Sequence, residues 1–354
     1  MATLKEVAHH AHVSTATVSK VLSNTPYVSA ETRARVLQSV EALGYVPNLA
    51  ARALSKGHTY MIGVVFPYKT DHLFGDPHIL SLLEGIETIC VEMGYNMLLS
   101  TPRAPVVESI QYQRLVQGGY LEGLITLETL PGTPVSSLPE QHGYPWVAIG
   151  YHSAKNNLNT IHTDDRSGAR AIAQYLIQLG HRDIGVISVH ADALTATEQR
   201  IAGYREAFNA AGLVFDRAPL EYGNFTVESG YQATDRLLAA VPRPTAILCL
   251  NDRMAMGAIQ RAWAAGLRVP EDLSVVGFDD IPNASFFTPA LTTVRQPAYE
   301  MGERAARMLF EIMAHKASRL RRKTPSREGF SPIVFPSELI VRGSATRPPY
   351  ADYE

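Results

Sequence analysis

From about Tyr60 onward, the chain alternates short apolar runs with stretches of helical periodicity. The runs predicted to be strands are Met61–Phe66, Asn96–Leu99, Gly123–Leu127, Trp146–Ile149, Thr160–His162, Asp183–Val189, Ala246–Leu250 and Leu273–Gly277. The predicted helices are Ile79–Met93, Glu108–Gly118, Ser167–Leu179, Gln199–Ala211, Ser229–Ala240, Arg253–Ala265 and Tyr299–Ala314. Such alternation predicts an α/β fold of parallel sheets with helices on both faces. In a chain of 354 residues, so many units would form one very wide sheet or two domains.

The first fifty residues have a different pattern, that of three short helices. Each is preceded by a candidate N-cap, and the three caps are Thr3, Ser14 and Ser29. Glu6 has the spacing that completes a capping box with the first cap, and Gly44 is placed to end the third helix. Three helices this short must share one small core.

The second of these helices has an outer face that is small, polar and basic. Its inner side carries Val18, Val21 and Leu22. Its outer side carries Thr15, Ala16, Ser19 and Lys20. This composition suits a helix whose N-terminal end approaches base edges in a major groove. The alternative is a small helical hairpin with an ordinary polar surface.

The distribution of charge favours contact with nucleic acid at the N-terminus only. Residues 1–56 hold six Lys/Arg and three Glu, a net charge of +3, whereas the whole chain has −2, which leaves −5 for the remainder. A basic head on an acidic body is typical of a protein whose head alone contacts phosphates.

Three motifs, taken together, resemble the lactose/galactose-repressor family of bacterial transcriptional regulators. They are VSTATVSKVLSN (Val13–Asn24), VSAETRARVLQSVEALGYVPNLAARAL (Val28–Leu54) and the later GFDD. The resemblance covers nearly the whole chain and implies an all-α helix-turn-helix head at 1–46 and a hinge helix and linker at 47–59. It implies an effector-binding and dimerisation core at 60–354, built of two Rossmann-like lobes of the periplasmic-binding-protein type. The first lobe would span about 60–161 and 294–331, the second about 162–293 and 332–345, and the tail 346–354 would be disordered.

The resemblance also implies which residues contact a palindromic operator. Thr15, Ala16 and Lys20 match base-reading positions. Positions that contact phosphates or cap helices are matched by Ser14, Thr17, Ser19 and Asn24, and the expected DNA-binding set also includes Thr3 and Tyr27. In the hinge, Asn48, Ala51 and Arg52 accompany Leu54, which matches a leucine that is wedged into the minor groove and kinks the duplex. The alternative for Leu54 is an ordinary linker leucine that touches the core.

A ligand in such a core belongs at the carboxyl ends of the strands, in the cleft between the lobes. By their match to the family, Arg200, Phe225, Asn251 and Asp279 are expected to bind the effector. Further candidates for effector binding are Phe74, Asp164 and Phe287. Arg, Asn and Asp form fork-like hydrogen bonds with a polyhydroxylated ligand, and an aromatic face covers its ring. A sugar is the family's usual effector, although purines and other metabolites occur.

Each of these residues has a plainer alternative. Arg200 could be a surface charge at the end of a helix, and Asn251 and Asp279 could cap the segments that follow them. Phe225 could belong to the core. The sequence also departs from the family pattern at Ile149-Gly150-Tyr151, where some sugar-binding members carry an Asp or Arg, and this leaves the first lobe's part in ligand recognition open.

Two segments near the C-terminus stand apart from the family pattern. The connection His315–Phe330 is longer than usual and basic, with Arg319, Arg321, Arg322 and Lys323. We interpret it as a mobile solvated loop, with DNA or an acidic partner as the alternative. The tail after Gly343 is predicted to be disordered.

Several other classes of protein are disfavoured. The two cysteines, Cys90 and Cys249, lie in separate apolar stretches and suggest neither a disulfide framework nor a zinc site. His9, His10 and His12 form an HHxH run that is interpreted as solvated rather than metal-binding. The N-terminus lacks a signal-peptide pattern and no apolar run is long enough to span a membrane, so we expect a cytoplasmic protein without a membrane partner.

No catalytic motif or cofactor-binding loop is recognised, so we expect neither enzymatic activity nor a cofactor. The prediction is a ligand-gated repressor that acts as a homodimer. The rivals are a solute sensor whose head recruits another protein, and an enzyme built on the same lobes.

Overall fold

The structure is a computed structural model that describes residues 2–22, 27–46, 58–66, 73–101, 114–127, 143–150, 159–190, 195–322 and 330–349. It divides into two compact units, Met1–Tyr60 and Met61–Glu354.

The first unit contains three helices, α1 (Leu4–His10), α2 (Thr15–Leu22) and α3 (Ala30–Ala42). The predicted capping box of Thr3 and Glu6 is present. The third helix ends as predicted, because Gly44 has φ +56° and the N–H of Tyr45 donates to the carbonyl of Val40 at 3.0 Å, a Schellman arrangement. The small shared core is made of Val7, Ala8, Ala11, Val18, Val21 and Val36.

The second unit alternates strands and helices. In chain order, its elements are β1 (Met61–Val65), α4 (Pro77–Met93), β2 (Asn96–Ser100), β3 (Gly123–Leu127), β4 (Trp146–Ile149), β5 (Thr160–Thr163), α5 (Asp165–Gln178), β6 (Ile184–Val189), α6 (Thr195–Ala210), β7 (Leu220–Gly223), α7 (Val227–Leu238), β8 (Ala246–Cys249), α8 (Asp252–Ala264), β9 (Ser274–Val276), α9 (Pro282–Phe286), β10 (Thr293–Arg295), α10 (Ala298–Arg322), β11 (Ile333–Phe335) and β12 (Glu338–Ile340).

Ten of these strands form two parallel sheets, and each sheet packs in a hydrophobic cluster of its own. The six-stranded sheet has the order β11-β5-β4-β3-β1-β2, and α4 and α10 pack on it. The four-stranded sheet has the order β7-β6-β8-β9, with α5 to α8 around it. We call these two bodies the first and second lobes. The predicted fold class is confirmed. The assigned boundaries of head, linker and core stay predictions.

The chain passes between the lobes beside a small antiparallel pair, β10 with β12. The first passage follows β5, and the last lies between β11 and β12. Assignment of residues 332–345 to the second lobe is wrong for Ile333–Phe335, because this strand pairs with β5 in the first lobe's sheet.

Two further predictions about the C-terminal region need correction. Residues 315–322 are not part of a loop, because α10 continues to Arg322. Lys, Arg and His are stable near a helix C-terminus, where they interact favourably with the helix dipole. The tail is not disordered directly after Gly343: the hydroxyl of Ser344 donates to the carbonyl of Val275 at 2.6 Å, and the N–H of Thr346 donates to Ser274 Oγ at 3.0 Å.

Candidate DNA-reading face and effector site

The outer face of α2 has the exposure expected of a surface that reads DNA. Thr15, Ala16, Ser19 and Lys20 are exposed, while Val18 and Val21 are buried. Ser14 caps the helix, because its hydroxyl accepts a hydrogen bond from the backbone N–H of Thr17 at 3.1 Å. The free surface of this helix is therefore its small and basic side.

The other residues of the predicted DNA-binding set have varied positions. Thr3 caps α1, and the ring of Tyr27 is 92% exposed. Asn24 and the hinge residues Asn48, Ala51, Arg52 and Leu54 lie outside the described residues.

Arg200, on the inner side of α6, is the centre of a buried ionic cluster in the second lobe. Its Nε donates to Asp165 Oδ1 at 2.8 Å, and its Nη1 donates to the carbonyl of Leu250 at 2.7 Å. The same Nη1 is 3.6 Å from Asp279 Oδ1, and the guanidinium lies 3.8 Å from the centre of the Phe278 ring. The side chain is only 9% exposed, so the alternative of a surface charge is wrong.

The electrostatics of this cluster favour a charged Arg200. Burial alone acts to lower the pKa of the guanidinium, but Asp165 and Asp279 outweigh it, and the net shift of the pKa is upward. The cluster therefore holds one cation between two carboxylates.

Asp279 connects this cluster to the strands that join the lobes. Its Oδ1 accepts from Gln296 Nε2 at 2.7 Å, and Gln296 Oε1 accepts from Thr163 Oγ1 at 2.9 Å. Thr163 is the last residue of β5, in the first lobe. A chain of polar contacts, one ion pair followed by two hydrogen bonds, thus runs from Arg200 in one lobe to the end of a strand in the other. Neither Gln296 nor Thr163 was among the predicted site residues.

Asn251 and Phe225 lie close together beyond the carboxyl ends of β8 and β7, the two strands that flank β6 in the second lobe's sheet. Asn251 caps α8, because its Oδ1 accepts from the backbone N–H of Met254 at 2.9 Å, and its Nδ2 donates to the carbonyl of Phe225 at 3.2 Å. Phe225 has φ +66° and Asp279 has φ +119°, a backbone region that residues other than glycine rarely adopt. Such strained positions concentrate at ligand-binding sites.

The remaining predicted effector residues have other surroundings. Phe74 is 71% exposed, on a short 3₁₀ turn before α4. Asp164 caps α5 by accepting from the N–H of Ser167 at 3.0 Å. Phe287 stacks on Trp263, with ring centres 5.9 Å apart, beside a shallow cavity of about 490 Å³ that Trp263 helps to line. That cavity is lined by none of the residues of the Arg200 cluster.

Asp252, the first residue of α8, is a fully buried carboxyl group. Its Oδ2 accepts from the backbone N–H of Ile281 at 2.9 Å, and its Oδ1 accepts from the hydroxyl of Thr293. Burial, and then the nearby charge of Asp279, raise the pKa of this carboxyl well above its ordinary value. Asp252 thereby links the start of α8 to the loop after β9 and to β10.

The raised pKa of Asp252 predicts a specific pH dependence of stability. The folded state holds this proton more tightly than the unfolded state, so the group's contribution to stability falls as the pH rises above the ordinary value of 3.8. We expect Asp252→Asn, which keeps an acceptor for Ile281, to lose less stability than the wild type between pH 5 and pH 8. Urea unfolding at both pH values measures this difference, and parallel losses in the two proteins would contradict it.

Comparison with known proteins supplies the family. Residues 3–48 match the model of "Bacterial regulatory proteins, lacI family", and residues 173–344 match that of "Periplasmic binding protein-like domain". The HTH-type transcriptional repressor PurR of Erwinia tasmaniensis is 36% identical over 355 residues, covering 100% of this chain and 99% of that protein. The chain belongs to the lacI family.

Solved structures agree with this lacI-family assignment. A lac repressor dimer bound to operator and the anti-inducer ONPF superposes with a TM-score of 0.82 at 25% identity, over 98% of this chain and 99% of that one. A complex of the transcriptional regulator CelR with cellobiose gives a TM-score of 0.73 at 30% identity, over 98% and 100%. As a lacI-family member, the chain is a DNA-binding transcriptional regulator controlled by a small-molecule effector. Its described helices include none that is both long and apolar enough to cross a membrane.

Proposed function

We propose that this regulator is a homodimeric, cytoplasmic repressor that reads a palindromic operator with α2 and binds its effector between the two lobes. The observation that supports the effector site is the Arg200 cluster, which connects through Asp279 and Gln296 to the end of β5. A ligand that contacts Asp279 or Arg200 would compete with these internal hydrogen bonds. It would thereby change how the two lobes are joined, and operator affinity would change with it.

A sugar or sugar derivative is the effector class that this chemistry favours. Arg200 is neutralised by two carboxylates, so the described cluster presents hydrogen-bonding groups without an excess of positive charge. Hydroxyl groups can donate to carboxylates and accept from guanidinium and amide N–H groups. CelR, whose structure contains cellobiose, is a relative with a sugar ligand.

The experiment that tests this function is a thermal-shift screen of the full chain against sugars, nucleobases and inorganic phosphate. The compound with the largest shift is then titrated into a complex of the chain with the palindromic DNA that it enriches from a random-sequence pool. We expect a change in DNA affinity and recovery of the compound unchanged, because we propose binding without catalysis. A shift with no change in DNA affinity would refute effector control.

Lys20 tests the DNA-reading face. We expect Lys20→Gln to weaken binding to the selected DNA by about 1–3 kcal/mol and to relax base preference, because it replaces an exposed, charged ammonium donor on the outer face of α2 by a neutral amide. The control is Lys5→Gln, which removes the same charge from an exposed position on α1 and should leave base preference unchanged. Fluorescence anisotropy against the selected and single-base-substituted sites measures both. Equal losses for the two variants would argue against base reading by Lys20.

The hinge is the remaining part of this proposal. On the resemblance of Val28–Leu54 to the family, we propose that Asn48, Ala51, Arg52 and Leu54 contact the centre of the operator, with Leu54 as the kinking wedge. If Leu54→Ala bends the bound DNA as strongly as the wild type does, Leu54 is not the wedge.

A further inference from the structure

An ion pair joins two helices that belong to different lobes. Asp76 immediately precedes α4, whose apolar side chains pack in the cluster of the first lobe. Arg253 is the second residue of α8, whose apolar side chains pack in the cluster of the second lobe. Arg253 Nη1 donates to Asp76 Oδ2 at 3.0 Å, and each side chain is 13% exposed.

The two oxygens of Asp76 have separate roles. Oδ1 accepts from the backbone N–H of His78 at 3.1 Å and so caps α4, while Oδ2 is the oxygen that faces Arg253. The cap keeps Asp76 fixed to the first lobe whether or not the ion pair is formed. The pairing oxygen is therefore presented to the second lobe by a rigid helix end.

Arg253 is equally well fixed to the second lobe. It follows Asn251, which caps α8, and Asp252, whose carboxyl group accepts hydrogen bonds from Ile281 and Thr293. The ion pair thus lies at the start of the same helix that carries Asn251, one of the candidate effector residues. Another polar contact between the lobes is the hydrogen bond of 3.2 Å from Thr195 Oγ1, at the start of α6, to the carbonyl of Gly150 after β4.

We propose that Asp76 and Arg253 form a latch that holds the two lobes in their closed arrangement. Because both side chains are largely shielded from solvent, their attraction is screened by water and salt less than that of a surface pair. Opening of the lobes about the segments where the chain passes between them would separate the two charges and expose both to water. The balance between paired and hydrated charges then sets the population of the closed form. If the population of the closed form controls how the effector enters, that control rests on the proposed effector site. The latch itself does not rest on it.

Hydrogen exchange of the full chain, without effector or DNA, tests the latch. Asp76→Asn keeps an N-cap acceptor for α4 and removes the charge, and Arg253→Gln removes the opposite charge. We expect each variant to raise the rate of amide hydrogen exchange about fivefold in both lobes, in the peptides that cover residues 76–80 and 250–256. The decisive readout is the peptide 76–80 in Arg253→Gln, because a purely local effect of that substitution would stay in the second lobe.

Two controls complete the design. Arg261 lies on the same helix as Arg253 and pairs with Asp235 of α7 at 2.6 Å, inside the second lobe. Arg261→Gln breaks that pair and should leave exchange of residues 76–80 unchanged. The double variant Asp76→Asn/Arg253→Gln should exchange no faster than either single variant, because both remove one interaction. An effect of Arg253→Gln confined to residues 250–256, or additive effects in the double variant, would overturn the latch. A failed effector screen would leave this result intact and refute only the effector site.

Discussion

Arg200→Ala is expected to lower the free energy of unfolding of the second unit by about 3–5 kcal/mol, the usual effect of removing one partner from a buried ion pair. The substitution leaves the carboxylates of Asp165 and Asp279 buried without the cation that pairs with both. It also leaves the carbonyl of Leu250 without the donor that Arg200 supplies. Urea unfolding followed by circular dichroism measures the loss.

The neighbouring Arg205 is the matched control for this prediction. It lies on the same helix and pairs with Asp216 at 2.7 Å, but both side chains are exposed. Arg205→Ala should therefore change stability by about 0.5 kcal/mol or less. Comparable losses of unfolding free energy for the two variants would show that the buried Arg200 cluster stabilises the protein no more than an exposed ion pair does.

Arg200→Lys separates ligand contact from stability. Lysine retains the positive charge between the two carboxylates but lacks the planar fork of donors. We therefore expect a smaller loss of stability than with alanine, together with loss of the thermal shift produced by the compound selected in the screen. A normal thermal shift in Arg200→Lys would contradict the role of the guanidinium in effector binding.

The elements that sequence could predict are those fixed by local interactions or by deep burial. The capping box of Thr3 and Glu6 and the Schellman end at Gly44 depend on residues within a few positions of each other. The strands β3, β4 and β6 are fully buried and therefore appear in the sequence as continuous apolar runs.

The elements that were missed depend on distant partners. β7 has an alternating, partly exposed pattern at the edge of its sheet, and β10 and β12 are three residues each and pair across more than forty residues of chain. Pairing of this kind leaves little trace in a short window of sequence. The same reason explains why the ordered position of Ser344 was not predicted: it depends on a hydrogen bond to Val275, in another part of the chain.

The candidate site shows a similar division. The rule that ligands bind at the carboxyl ends of parallel strands pointed to Asn251 and Asp279, and the family resemblance pointed to Arg200. Neither indicated that Asp165 neutralises Arg200, or that Gln296 links Asp279 to β5. Those contacts join residues of different elements, and no local sequence pattern specifies them. The internal partners of a site are therefore harder to predict than its location.

Gly257→Val is the second variant with a large expected effect, and it acts through the packing of α8. A Cβ at Gly257 would lie 1.9 Å from the carbonyl oxygen of Val227, and a Cβ at Gly230 would lie 2.2 Å from that of Met254, so α7 and α8 touch backbone to backbone. Rigid backbone atoms cannot move aside as a side-chain tip can, and we expect a loss of roughly 3 kcal/mol, the upper end of the usual range for overpacking. The start of α8, with Asn251 and Arg253, should shift as well.

Valine at an exposed position of the same helix controls for any effect of a β-branched side chain on the helix itself. Ala264→Val should reduce stability by only a few tenths of a kcal/mol, because Ala264 is exposed near the end of α8. Urea unfolding compares the two variants. Hydrogen exchange of residues 76–80 shows whether displacement of α8 also loosens the latch, since Arg253 is carried by that helix. Equal unfolding midpoints for Gly257→Val and Ala264→Val would mean that the two helices separate without strain, and the close glycine contact would then have no part in holding the site in place.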